Sequence, residues 1–100
     1  MLLAGDIGGT KTHLALFSTE TGPRKPVFEH VYPSSQYSNL ETIVQAFLQE
    51  VNQPVDRAVF GVAGPVLDGE ATITNLPWVI RISRLQEVLG VQPVTLLNDL

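Results

Sequence analysis

Cysteine is absent from the 100-residue sequence, which excludes disulfides and thiolate metal sites. Basic residues are also few: six Lys and Arg stand against ten Asp and Glu, the net charge is −4, and no basic cluster appears. Binding of nucleic acid is therefore not expected. No apolar run approaches the roughly 20 residues that cross a membrane. The N-terminus lacks the pattern of a signal peptide. We expect a cytoplasmic protein without a membrane anchor.

The sequence is 44% hydrophobic and 16% charged, a composition that is typical of a folded chain. One hundred residues can form one domain with a modest core.

The most informative stretch is Gly-Asp-Ile-Gly-Gly-Thr-Lys-Thr at residues 5–12, between two apolar segments. Glycines permit a tight turn whose backbone N–H groups bind an anion. Thr10 and Thr12 add hydroxyl donors, and Lys11 adds positive charge. Asp6 would repel a bare phosphate, but it would suit a Mg²⁺ ion held between its carboxylate and the phosphates. We interpret the stretch as a Mg-nucleotide site on a β-hairpin.

Two better-known phosphate loops do not match this stretch. A Walker A loop requires Gly-Lys-Ser/Thr, but Thr10 separates Gly9 from Lys11. The dinucleotide motif requires Gly-x-Gly-x-x-Gly before a helix, whereas residues 13–17 alternate as a strand does. A glycine-rich turn without a ligand remains the alternative.

The rest of the chain predicts an α/β fold. Apolar patterns indicate five main strands, at residues 2–4, 12–18, 27–32, 58–63 and 94–97. Two helices are expected, one capped by Ser38 and Glu41 and one by Ser83 and Gln86. Asp68-Gly69 indicates a small hairpin turn. Because helical crossovers join parallel strands, the predicted sheet is mixed, with strand order 3-2-1-4-5.

Ligands of such sheets bind at the carboxyl ends of the parallel strands. Asp6, the Gly64-Pro65 pair and the Asn98-Asp99 pair are predicted to lie at that edge. Asp99 is a candidate general base for a substrate hydroxyl that attacks phosphorus, and Asn98 suits recognition of a polyol. The alternative is that Asn98 and Asp99 only cap the following segment.

Three aromatic or imidazole side chains need an interpretation. Trp78 either stacks on a sugar or, as we favour, belongs to the core or to a subunit contact. His13 and His30 have no paired ligand at metal spacing, so we interpret both as structural.

The motif Gly5-Asp6-Ile7-Gly8-Gly9-Thr10 resembles the first phosphate motif of the sugar kinase, heat-shock protein 70 and actin superfamily. Residues 62–65 (Val-Ala-Gly-Pro), 74–78 (Thr-Asn-Leu-Pro-Trp) and 97–99 (Leu-Asn-Asp) resemble the bacterial glucokinase family, in that order. Leu100 stands where that family more often has phenylalanine.

The resemblance implies a ribonuclease H-like (actin-like ATPase) lobe, a five-stranded mixed sheet with helices on its faces. It also implies ATP-dependent phosphorylation of D-glucose to glucose 6-phosphate, the first step of glycolysis. By position, Gly5, Asp6, Ile7, Gly8, Gly9 and Thr10 would meet the ATP phosphates. Asp99 would be the base, Asn98 and Asp99 would bind glucose, and Asp6 would meet Mg²⁺. A homodimer would be consistent with the family.

Such kinases have two lobes, so residues 1–100 are expected to be the N-terminal small lobe of a longer protein and to be inactive alone. Two alternatives remain on the same fold. One is a non-catalytic sugar-sensing protein, and the other is a different actin-like ATPase. Asn98-Asp99 and the segment around Trp78 argue against the second of these, the other actin-like ATPase.

Overall fold

The computed structural model describes residues 1–18, 25–90 and 93–98. The described part contains a five-stranded sheet, a smaller three-stranded sheet and two α-helices. The strands of the larger sheet are β1 (Leu2–Ile7), β2 (Lys11–Phe17), β3 (Phe28–Pro33), β4 (Arg57–Val62) and β8 (Val94–Asn98). The smaller sheet contains β5 (Val66–Leu67), β6 (Glu70–Thr72) and β7 (Val79–Arg81). The helices are α1 (Leu40–Val51) and α2 (Ile82–Leu89).

The larger sheet has the order β3-β2-β1-β4-β8, which confirms the predicted order of its five strands. β1 pairs antiparallel with β2 and parallel with β4, and β4 pairs parallel with β8. β1 lies at the centre of the sheet and is longer than predicted. Gly5, Asp6 and Ile7 belong to the strand, because they pair with β2 on one side and with β4 on the other.

The smaller sheet begins with the hairpin that Asp68-Gly69 predicts. Both residues have positive φ, 53° and 75°, as a two-residue turn of the type I′ class requires. The third strand, β7, is absent from the sequence prediction because three residues give no measurable alternation. It pairs with β6, where Arg81 Nε donates to Glu70 Oε1 at 2.7 Å.

The helices lie where they were predicted, but both predicted capping boxes are wrong. Asn39, not Ser38, is the N-cap of α1, since its side chain accepts a hydrogen bond from the Thr42 N–H. Ser83 lies inside α2, which begins after Arg81 without a side-chain cap. The observed N-cap lies one residue after the predicted one in α1 and two residues before it in α2.

Both helices pack on the same face of the larger sheet. Leu3 and Ile7 of β1, Phe60 of β4, Phe47 of α1 and Leu85 of α2 are fully buried in one core. The opposite face carries Asp6 and Leu97, which are exposed. Within the described ranges, neither helix is both long and apolar enough to cross a membrane.

The corrected N-cap of α1 leads to a test. We expect Asn39→Ala to lower the free energy of unfolding by about 1 kcal/mol, because Asn39 Oδ1 accepts from the Thr42 N–H at 2.9 Å. The matched control, Ser38→Ala, should change it by less than about 0.5 kcal/mol. Urea denaturation of the three proteins measures the difference. An equal loss in both variants would restore Ser38 as the cap.

Tyr32, at the end of β3, gives a second test. Burial of its ring, with the Glu50 carboxylate and Tyr37 nearby, raises its pKa to about 12 from the ordinary value of 10.0. An unfolded tyrosine loses its proton near pH 10, whereas folded Tyr32 keeps it. The stabilisation is therefore present below pH 10 and is lost as the pH rises to about 12.

We expect Tyr32→Phe to lose less stability than the parent protein across that alkaline range. Tyr37→Phe is the matched control, since Tyr32 and Tyr37 are the two tyrosines of the sequence. This variant should still lose stability as the pH rises, because it retains Tyr32. Urea denaturation at rising pH measures the effect, with tyrosinate absorbance as an independent readout. Parallel behaviour of the two variants would contradict the prediction.

Candidate functional site

Asp6 is exposed and lies in β1, one residue before the end of the strand. Its register partners are His13 on β2 and Gly61 on β4. Side chains at one register level share a face, so Asp6 lies on the face that the two helices leave open. His13 on this face bonds Glu29 at 3.0 Å, which agrees with a structural role for His13.

The turn between β1 and β2 consists of Gly8, Gly9 and Thr10. The Gly8 N–H donates to the Lys11 carbonyl at 2.9 Å, which closes the hairpin. In the described part of the chain, the N–H groups of Gly9 and Thr10 make no backbone hydrogen bond. Thr10 and Lys11 are exposed and Gly9 is half-buried. The backbone ladder of the hairpin thus does not use these two amides, which lie beside a lysine.

Two buried hydroxyl groups hold this turn from below. Ser34, in the 3-10 helix at Ser34–Gln36, donates from Oγ to the Gly8 carbonyl at 2.8 Å. The Ser34 N–H donates to the Thr10 carbonyl at 3.0 Å. Thr12 Oγ1 lies 2.9 Å from Ser34 Oγ, and both residues are fully buried. The expectation that Thr12 offers its hydroxyl to a phosphate is therefore wrong, because its oxygen faces the core.

The glycines of the motif serve packing as well as turn geometry. A Cβ on Gly5 would lie 2.5 Å from the Phe60 ring, so the Gly5 position is filled by that ring. A Cβ on Gly9 would lie 2.9 Å from the Thr74 carbonyl. The turn and the segment at residues 74–78, two of the stretches that carry the family resemblance, therefore contact each other.

Ile7 is fully buried, and its carbonyl accepts from the Ala63 N–H at 3.0 Å. Of the predicted phosphate-binding residues, Gly5 and Ile7 thus face the core. Asp6, Gly8, Gly9 and Thr10 surround the turn.

Asn98 is exposed and is the last residue of β8. It pairs with Val62 on β4, which pairs with Ile7 on β1. Two strand spacings, about 10 Å, separate β8 from β1. Asn98 and Asp6 are at the same end of the parallel strands, but neighbouring register levels place them on opposite faces. Asp99, the predicted base, lies outside the described residues.

Trp78 is buried, and its Nε1 donates to the Tyr37 carbonyl at 3.1 Å. This contact confirms the core interpretation over stacking on a sugar. His30 bonds Glu50 at 3.0 Å and stacks on Tyr32, so it too has a structural role.

The donor set of the site fits a hard cation held by few protein ligands. No group of three or more His, Cys, Asp or Glu side chains that would hold a metal occurs among residues 1–18, 25–90 and 93–98. Asp6 offers an exposed carboxylate on the open face. A Mg²⁺ ion that takes its other ligands from phosphate oxygens and water matches this single carboxylate.

Ser34 is the site residue that sequence reasoning missed. It stands in a polar stretch after β3, where a serine is unremarkable. Its role depends on the pairing of Lys11 with Pro33 across β2 and β3, which brings Ser34 beside the turn.

Comparison with known proteins gives one consistent family. The family model described as "Glucokinase" matches residues 3–100. A glucokinase of Nostoc punctiforme is 42% identical over 101 residues, which cover 99% of this chain and 30% of that protein. A glucokinase of Synechocystis is 42% identical over 108 residues, covering 97% of this chain and 30% of that protein. The chain thus spans about a third of the length of these curated relatives.

Two solved structures share the fold. A glucokinase from an Antarctic psychrotroph superimposes with a TM-score of 0.84 at 27% identity, covering 98% of this chain and 32% of that one. A structure described as a putative sugar kinase from Cytophaga hutchinsonii gives a TM-score of 0.74 at 20% identity, covering 98% of this chain and 36% of that one. The second likeness concerns the fold alone.

Trp78 provides the test of this site description. We expect Trp78→Phe to lower the free energy of unfolding by about 1 kcal/mol or more, because it leaves the Tyr37 carbonyl without its donor. Sugar binding by the full-length protein should be unchanged. Urea denaturation and calorimetry measure the two effects. A loss of sugar affinity at unchanged stability would support stacking instead.

Proposed function

The chain belongs to the glucokinase family, and from that premise we propose that the full-length protein phosphorylates D-glucose with ATP, forming glucose 6-phosphate and ADP. Residues 1–100 form the N-terminal small lobe of that enzyme in this proposal. The second lobe lies in the remaining length of the relatives, and the first lobe alone is inactive. A cytoplasmic location and a homodimer are further parts of the proposal.

The observation that carries the proposal is the turn at Gly8–Thr10. Its carbonyls at Gly8 and Thr10 accept from Ser34, while the amides of Gly9 and Thr10 make no backbone–backbone hydrogen bond in the described part of the chain. Backbone N–H groups of a tight turn can form a concavity that binds an anion. The exposed Lys11 adds positive charge beside them. This turn is where the triphosphate of ATP binds.

Asp6 holds Mg²⁺ against the phosphates in this proposal. When bound, the ion neutralises charge that develops on the phosphoryl oxygens during transfer. The carboxylate of Asp6 is exposed on the open face of β1, close in sequence to the turn. This chain thus contributes one carboxylate oxygen ligand, from Asp6, which the central strand β1 holds in a fixed position.

Asn98 and Asp99 serve the sugar. Asn98 is exposed at the carboxyl end of β8, where its amide can donate to and accept from hydroxyl groups. The Asp99 carboxylate takes the proton of the glucose 6-hydroxyl. That oxygen forms a bond to the γ-phosphorus, the bond from this phosphorus to the bridging oxygen breaks, and ADP leaves. Asp99 protonates no leaving group and is restored when its proton passes to solvent.

The test uses the full-length protein in a coupled kinase assay with ATP and glucose, mannose, fructose and N-acetylglucosamine in parallel. We expect phosphorylation of glucose. Asp99→Asn should lower kcat by about 10²–10⁴-fold, because the amide cannot accept the hydroxyl proton.

Asp68→Asn is the matched control. Asp68 is an exposed aspartate in the β5–β6 hairpin turn, and asparagine also tolerates its positive φ. This variant should keep normal turnover. Near-normal turnover in Asp99→Asn would contradict the base assignment, and glucose-independent ATP hydrolysis would contradict the kinase.

A further inference from the structure

Ser34 uses every polar group that it has. Its N–H donates to Thr10, its hydroxyl donates to Gly8, and its own carbonyl accepts from the Tyr37 N–H at 3.1 Å. The side chain is fully buried between β2 and the turn. Serine in a surface connection normally bonds water or its own neighbours. Here it bonds two carbonyls that lie 24 to 26 positions earlier in the chain, one on each side of Gly9.

The direction of the hydroxyl bonds follows from the count of protons. Ser34 Oγ has a single proton, which it gives to the Gly8 carbonyl. In the contact of 2.9 Å with Thr12, the Thr12 hydroxyl must therefore be the donor. The two hydroxyls form a directed chain from Thr12 through Ser34 to Gly8. Each bond in such a chain strengthens the next in a buried environment.

These bonds fix the orientation of two peptide planes. A trans peptide is planar, and its N–H points opposite to its C=O. The Gly8 carbonyl belongs to the same peptide as the Gly9 N–H, and the Thr10 carbonyl to the same peptide as the Lys11 N–H. Because both carbonyls point to Ser34, both of these N–H groups point away from it. Ser34 thereby fixes the direction of the Gly9 N–H, which of these two groups is the one that belongs to the turn; Lys11 is the first residue of β2.

Glycine makes this restraint necessary. Gly8 and Gly9 have more backbone freedom than any other residue pair, so an unrestrained turn would sample many orientations of its amides. Binding of an anion would then have to order the turn at a cost in affinity. The hydrogen bonds of Ser34 order the turn during folding, so ligand binding does not have to order it.

We propose that Ser34, supported by the Thr12 hydroxyl, is a positioning residue that holds the Gly9 amide toward the triphosphate. The inference rests on the proposed function for its ligand. Its geometry does not depend on that function, and the experiment has a readout for each.

The experiment uses the full-length protein with Ser34→Ala. We expect the KM for ATP to rise about five- to tenfold, as expected for one lost neutral hydrogen bond. The KM for glucose should stay unchanged, since Asn98, the proposed sugar ligand among the described residues, lies on β8. The matched control is Ser35→Ala, because Ser35 is the exposed neighbour in the same 3-10 helix. It should leave both constants unchanged.

Thr12 supplies a second pair of variants. Thr12→Val removes the hydroxyl at nearly constant volume and should raise the KM for ATP in the same direction as Ser34→Ala. Thr12→Ser keeps the hydroxyl and should restore a near-normal value. A merely structural role would make both Thr12 variants lose stability without this split in KM. If Ser34→Ala does not fold, the Thr12 pair carries the test.

Hydrogen exchange of the Gly9 amide gives the readout that does not need activity. Without nucleotide, Ser34→Ala should raise its exchange rate relative to Ser35→Ala. Unchanged exchange together with an unchanged KM for ATP would overturn the positioning role. If the parent protein phosphorylates no sugar but the exchange rates respond, the proposed function fails while the restraint by Ser34 holds.

Discussion

The position of β1 between an antiparallel and a parallel neighbour is the constraint on which the structure depends. Its hydrogen bonds to β2 create the hairpin, and those to β4 create the parallel set that ends at β8. A shift of one residue in either pairing would move Leu3 and Ile7 out of the core and Asp6 into it. Both apolar residues are fully buried, so the register is strongly fixed. The exposed position of Asp6 is a direct result.

The shape of the glycine-rich turn depends on Ser34, a residue outside the β1–β2 hairpin that contains the turn. β3 extends to Pro33, and Ser34 follows at once, beside the turn. Pro33 has no N–H, which suits an edge strand whose outer side makes no ladder. The turn therefore combines flexible residues with fixed carbonyls.

The two faces of the larger sheet have different roles in the described part of the chain. The helices cover one face with a continuous apolar core. The other face presents Asp6 and, two strands away across Gly61, Leu97, which is 53% exposed. Side chains on the strands of a sheet are held more firmly than side chains on loops. Asn98 stands on the other face at the same end, so a ligand that meets both residues must lie across the ends of β1, β4 and β8.

The sequence alone was sufficient for the order of the five main strands, the two helices and the hairpin at Asp68-Gly69. Those features depend on local patterns: alternation, helical spacing and residues that tolerate positive φ. It also identified the glycine-rich turn and placed Trp78 in the core. The family resemblance came from the same stretches, and the comparisons confirm it.

Only the tertiary structure decided which atoms of those stretches are buried and which are exposed. From the sequence, Thr10 and Thr12 are equivalent candidates for a hydroxyl donor. In the structure Thr12 is buried against Ser34, whereas Thr10 is exposed. It cannot place Ser34 beside Gly8, because 26 positions separate them and pairing of β2 with β3 brings them together. The caps of α1 and α2 also depend on where each helix meets the sheet. Local patterns reveal which elements form, whereas long-range pairing decides which side of each residue is free.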